Sequence, residues 1–81
     1  NIFIITEPID GNSATHGNGV TVGFSVPDEA TGDKWHEAGL SAGGKTCEDP
    51  PGIREGMGVK MYLAYLKDPS GNKICALKRL G

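Results

Sequence analysis

At 81 residues, with 37% hydrophobic and 22% charged content, the chain suits one small soluble domain with a thin core, neither disordered nor fibrous. A net charge of −2, with the eight Lys and Arg residues scattered along the sequence, argues against nucleic-acid binding, which gathers cations on one stripe or face. No apolar run approaches the ~18–20 residues of a membrane span.

Two cysteines, Cys47 and Cys75, stand without a signal peptide or dense cysteine spacing, so they read as reduced thiols of a cytoplasmic protein. The chain opens "NIFIIT", without Met and already inside an apolar run. Residues 2–5 are apolar and rich in β-branched side chains, the pattern of a buried strand. Residues 1–6 are accordingly assigned to a strand, the end of a preceding or partner module. Residues 7–17, with Pro8, Gly11 and Gly17, follow as a loop.

A second unit is expected over 18–81. "VTVGFSV" (20–26) alternates Val20, Val22, Phe24 and Val26 against Thr21, Gly23 and Ser25, a strand with one apolar and one small or polar face. Residues 27–44 predict a helix: Pro27 and Asp28 start it and Gly43-Gly44 stops it. Its inward stripe is predicted as Gly32, Trp35, Gly39 and Ala42, with Ala38 beside it. "KTCE" (45–48) predicts a short strand. Residues 49–58 are expected as loop, because Pro50-Pro51 suits neither helix nor ladder. "VKMYLAYLKD" (59–68), the turn "PSGN" (69–72) and "NKICALKRL" (72–80) predict an antiparallel hairpin.

The stretches "GNGVTVGFSVPD", "AGLSAGGKTCEDPPGIR" and "YLAYLKDPSGNKICAL", in that order, resemble one βαβββ module of the vicinal oxygen chelate superfamily. That group holds glyoxalase I, bleomycin-resistance proteins and extradiol dioxygenases. The D-P-x-G-N hairpin between two strands and the strand ending V-P-D ahead of a helix carry the likeness, over residues 17–80 and most closely to the C-terminal module. It implies an α+β fold, a single βαβββ module plus one preceding strand, paired with a second module into a curved sheet cup. The other half would come from a missing N-terminal module or from a second copy in a homodimer.

In metal-bearing members this module supplies a His from its first strand and a Glu from its last. The V-P-D register puts that His at Thr21, and the D-P-x-G register puts the Glu at Cys75. Neither ligand is present: a Thr hydroxyl is neutral, and Cys binds metal only as thiolate. A divalent metal would therefore need ligands from another module, with His16, five residues before Thr21, as a remote candidate here. No catalytic residue and no cofactor is assigned. The resemblance implies a small-molecule-sequestering protein of the bleomycin-resistance type, its cup lined by Thr21, Cys75, Tyr62, Tyr65 and Arg54. Alternation lets only one of the two tyrosines face the cup. His36, on the helix, is placed away from it as a structural residue. The rival readings are a metal-dependent lyase or dioxygenase with ligands supplied elsewhere, and an interaction module without a ligand.

Overall fold

The computed structural model describes residues 2–17, 19–56 and 58–81. Asn1 and Asn18, the expected starts of the first strand and of the second unit, lie outside them. Five strands and one helix follow in the order β1 (Val22–Ser25), α1 (Glu29–Ser41), β2 (Lys45–Thr46), β3 (Gly52–Gly56), β4 (Val59–Lys67) and β5 (Lys73–Arg79). They form one mixed sheet. β5 lies between β1, to which it is parallel, and β4, to which it is antiparallel. The far edge of β4 is shared by β2 at one end and β3 at the other.

α1 begins where the sequence asks it to. Asp28 is its N-cap, and its carboxylate accepts a hydrogen bond from the Thr31 backbone N–H at 2.7 Å. That bond holds the exposed Asp28 carboxyl below the ordinary carboxylate range. At the other end Gly43 takes φ +99, and the N–H groups of Ala42, Gly43 and Gly44 return to the Ala38, Leu40 and Gly39 carbonyls.

The helix lies close on one face of the sheet because two glycines let it. A Cβ at Gly32 would overlap the Tyr62 ring, and one at Gly39 would overlap Leu66. Beneath it, Tyr62, Ala64 and Ala76 form the buried cluster, with Val26, Trp35 and Leu80 packed against it. The Tyr62 hydroxyl donates to Asp33 on the helix at 2.7 Å. The buried seam of α1 therefore runs Gly32, Trp35, His36 and Gly39, whereas Ala38 and Ala42 are exposed. His36 is 8% exposed, and its Nε2 meets no hydrogen-bond partner among the described residues.

Three sequence expectations are corrected. Residues 2–5 are not a strand: Ile2, Ile4 and Ile5 are 88%, 71% and 84% exposed, and Phe3 makes an edge-on contact with Phe24 at 5.3 Å. A continuous apolar run suits a strand covered on both faces, and no partner strand or covering layer meets this one among the described residues. Residues 52–56, expected as loop, are β3, paired with β4 from Gly52↔Leu63 to Gly56↔Val59. The proline restriction ends at Pro51, and the ladder begins with the next residue. The strand expected at 45–48 is limited to Lys45–Thr46, and Glu48 beyond it takes φ +58.

Candidate functional site on the open face of the sheet

Side chains alternate across a strand, and paired residues on neighbouring strands point the same way. The register therefore sorts the sheet into two faces. Tyr62, Ala64 and Leu66 of β4, with Ile74 and Ala76 opposite, lie under α1. Met61, Leu63, Tyr65 and Lys67, opposite Arg79, Leu77, Cys75 and Lys73, form the other face, which no helix covers among the described residues. β1 adds Gly23 and Ser25 beside Cys75 and Leu77, and β3 adds Arg54 beside Met61.

Cys75 sits at the middle of this open face and is only 4% exposed. Its neighbours in register are Tyr65 on β4 and Gly23 on β1. A Cβ on Gly23 would stand 2.6 Å from Leu77 Cδ2 and 3.3 Å from Cys75 Sγ, so the glycine makes room for both. Burial pushes the Cys75 thiol up from its ordinary value, with the Lys73 cation opposing in part. The group is therefore a protonated thiol at neutral pH. Thr21 is exposed and immediately precedes β1, two residues before Gly23.

Of the two tyrosines, Tyr65 belongs to the open face, with the Lys73 ammonium 4.9 Å from its ring centroid. Tyr62, a cup-lining candidate by sequence, does not. It lies on the helix side, where burial and the Asp33 carboxylate push its phenol well above the ordinary value. Arg54 is on the open face, its Nη2 held by the Asp49 and Pro50 carbonyls at 3.2 and 2.8 Å.

His16 comes to the hairpin-turn end of the face. A Cβ at Gly71 would stand 3.0 Å from His16 Nδ1, so the imidazole approaches the turn where only glycine leaves space. With Cys47, Glu48, Lys67 and Lys73 it lines a hollow of about 240 Å³. Glu48 and Lys73 form an ion pair across it. Sequence reasoning missed these two lysines. The signal for them was present: Lys67 and Lys73 flank the turn symmetrically, Lys67 two residues after Tyr65 and Lys73 two before Cys75, and so share their face.

The donor set does not fit the metal that the superfamily implies. Thr21 offers a neutral hydroxyl, Cys75 a buried protonated thiol, and no cluster of three or more His, Cys, Asp or Glu side chains suited to a metal occurs among the described residues. Nor does any described helix have the length and apolarity to cross a membrane.

No family model matches the sequence, and no curated protein matches it. Among solved structures, the crystal structure of a glyoxalase/bleomycin resistance protein from Albidiferax ferrireducens T118 is similar at 58% identity and a TM-score of 0.83. The match covers 86% of this chain and 56% of that one, so the chain spans little more than half of its relative. With the helix on one face, the open sheet on the other and this likeness in both sequence and backbone, the chain belongs to the glyoxalase/bleomycin resistance family of the vicinal oxygen chelate superfamily.

Proposed function

We propose that the chain is one half, the C-terminal module, of a cup that sequesters a small organic molecule without a metal. Thr21, Cys75, Tyr65 and Arg54 are its ligand-facing residues. The observation that carries this reading is the chemistry at the two positions where metal-bearing members hold their ligands. Here a neutral hydroxyl and a buried thiol stand on a face whose floor is otherwise Leu63, Leu77 and Tyr65. The second half would be a preceding module or a second copy of the chain in a cytoplasmic dimer. Support for pairing comes from β1, which among the described residues has a strand partner on one side only, and from the exposed apolar residues Val20, Val22 and Ile2 to Ile5.

Metal analysis and ligand screening test the reading together. The purified protein is expected to carry no stoichiometric Zn, Ni, Mn or Fe. An organic ligand at 100 times its Kd should add about 2.7 kcal/mol of stability, seen as a rise in Tm of several degrees. Stoichiometric metal that survives dialysis would overturn it.

A further inference from the structure

Scattered in sequence, the cations are gathered in space. Lys45, Lys67 and Lys73 stand in one row across β2, β4 and β5. Arg54 and Arg79 flank Met61 in a second row, about 20 Å away at ~3.3 Å per residue. Five of the eight Lys and Arg residues thus share the open face, whereas α1 on the opposite face carries Glu29, Asp33 and Glu37 against Lys34. Between the rows the floor is Leu63 and Leu77, then Tyr65 and Cys75.

Lys45 and Lys67 of this row are exposed, but Lys73 is held in place. Lys73 is 32% exposed, paired with the Glu48 carboxylate and drawn over the Tyr65 ring. It borders the hollow shared with His16, Cys47 and Lys67, in which Glu48 is the one lining carboxylate among the described residues. Lysines placed against a hollow, with a resident counter-ion and an adjoining aromatic floor, match an acidic group joined to an apolar body.

We infer that this end of the cup is an anion subsite, which takes the carboxylate or phosphate of a small organic anion between Lys67 and Lys73, with the ligand's apolar part toward Tyr65. Glu48 is the internal stand-in that the ligand's acid displaces from Lys73. The inference rests on the sequestering-cup reading and narrows its ligand class. Charge complementarity favours an anion over a cation. The size of the hollow favours one acidic group over a polymer.

Calorimetric titration of the 81-residue chain at low salt, with four aromatic probes of similar size, tests it. Benzoate and phenyl phosphate are expected to bind at least about tenfold tighter than neutral benzamide and cationic benzamidine, the equivalent of ~1.4 kcal/mol. The tighter of the two anions tells carboxylate from phosphate. Lys67→Gln and Lys73→Gln should each weaken the anions about tenfold, with far-UV circular dichroism unchanged. Glu48→Gln should strengthen them several-fold, a gain that misfolding cannot mimic. Lys60→Gln, which removes the same charge from the helix side of β4, should change nothing. Equal binding of benzoate and benzamide, or anion affinity indifferent to Lys67 and Lys73, would overturn the subsite and leave the cup standing. Binding of none of the four would likewise overturn the subsite, whereas the cup stands or falls on the metal analysis. A single-stranded dodecanucleotide that outcompetes phenyl phosphate would assign the row to nucleic acid and overturn the small anion.

Discussion

Cys75 shows how a thiol can sit at the middle of an open sheet face and still be chemically quiet. Only the thiolate binds metal or attacks a disulfide, and burial disfavours that form. Because its folded pKa is raised, the group contributes stability that is complete below the unfolded value of about 8.5 and is lost as pH rises through the folded value. At pH 8 an aromatic disulfide reagent should therefore release about one equivalent quickly, from the half-exposed Cys47. The second equivalent should appear only on unfolding. Two fast equivalents would mean that Cys75 is open to solvent as thiolate. From sequence, the V-P-D and D-P-x-G registers of the superfamily resemblance put Thr21 and Cys75 at its ligand positions; in the structure Cys75 lies on the open face and Thr21 is exposed just ahead of β1. What sequence could not decide was the choice between Tyr62 and Tyr65. They are three residues apart and so face opposite ways, and the phenol that goes under the helix is settled by Asp33, 29 residues away. His16 was equally hidden, because its position depends on a close approach to Gly71 across the fold.

Among the elements, the β4–β5 hairpin is the most locally determined. Asp68 accepts hydrogen bonds from the Ser70 and Asn72 backbone N–H groups at 3.0 and 2.8 Å and from Asn72 Nδ2 at 3.1 Å. Gly71 closes the turn at φ +90 with its N–H on the Asp68 carbonyl. Burial alone would raise the Asp68 carboxyl, but the bonds from Asn72, Ser70 and Gly71 outweigh it and hold it below the ordinary range. A lowered folded pKa adds stability above the unfolded value near 4, lost as pH falls through the folded value. Asp68→Ala should thus cost about 1 kcal/mol at pH 7 in urea unfolding, and the gap from wild type should narrow as the pH falls below the unfolded value near 4. A gap that stays constant with pH would remove the carboxylate from the account. This hairpin and both ends of α1 were readable from sequence because every group that fixes them lies within about five positions. β3 was not: its ladder is set by the partner strand, and the overlooked local signal was Gly58, whose φ of +76 closes the turn onto β4.

On the scale of the molecule, the chain is extended for its length. Its radius of gyration is 13.9 Å, against roughly 12 Å for a compact domain of this size. Its longest dimension is 43 Å. Apolar residues at the N-terminus, Ile2 to Ile5 and Ile9, stay exposed, while the buried cluster beneath the helix is small. Covering a large aliphatic side chain stabilises by roughly 1.5–3 kcal/mol. Burial of several of these would rival the ~5 kcal/mol that a small domain has in total. If a second copy supplies that cover, assembly and folding are linked by mass action. Tm should then rise by several degrees between about 5 and about 500 µM protein. Ile4→Lys with Ile5→Lys should abolish that rise and give a monomer by sedimentation. The Tm at low concentration should not move, because both side chains are already in water in the single chain. A wild-type Tm independent of concentration, with a monomeric sedimentation coefficient throughout, would rule out the homodimer. The second half of the cup would then have to be a module of different sequence.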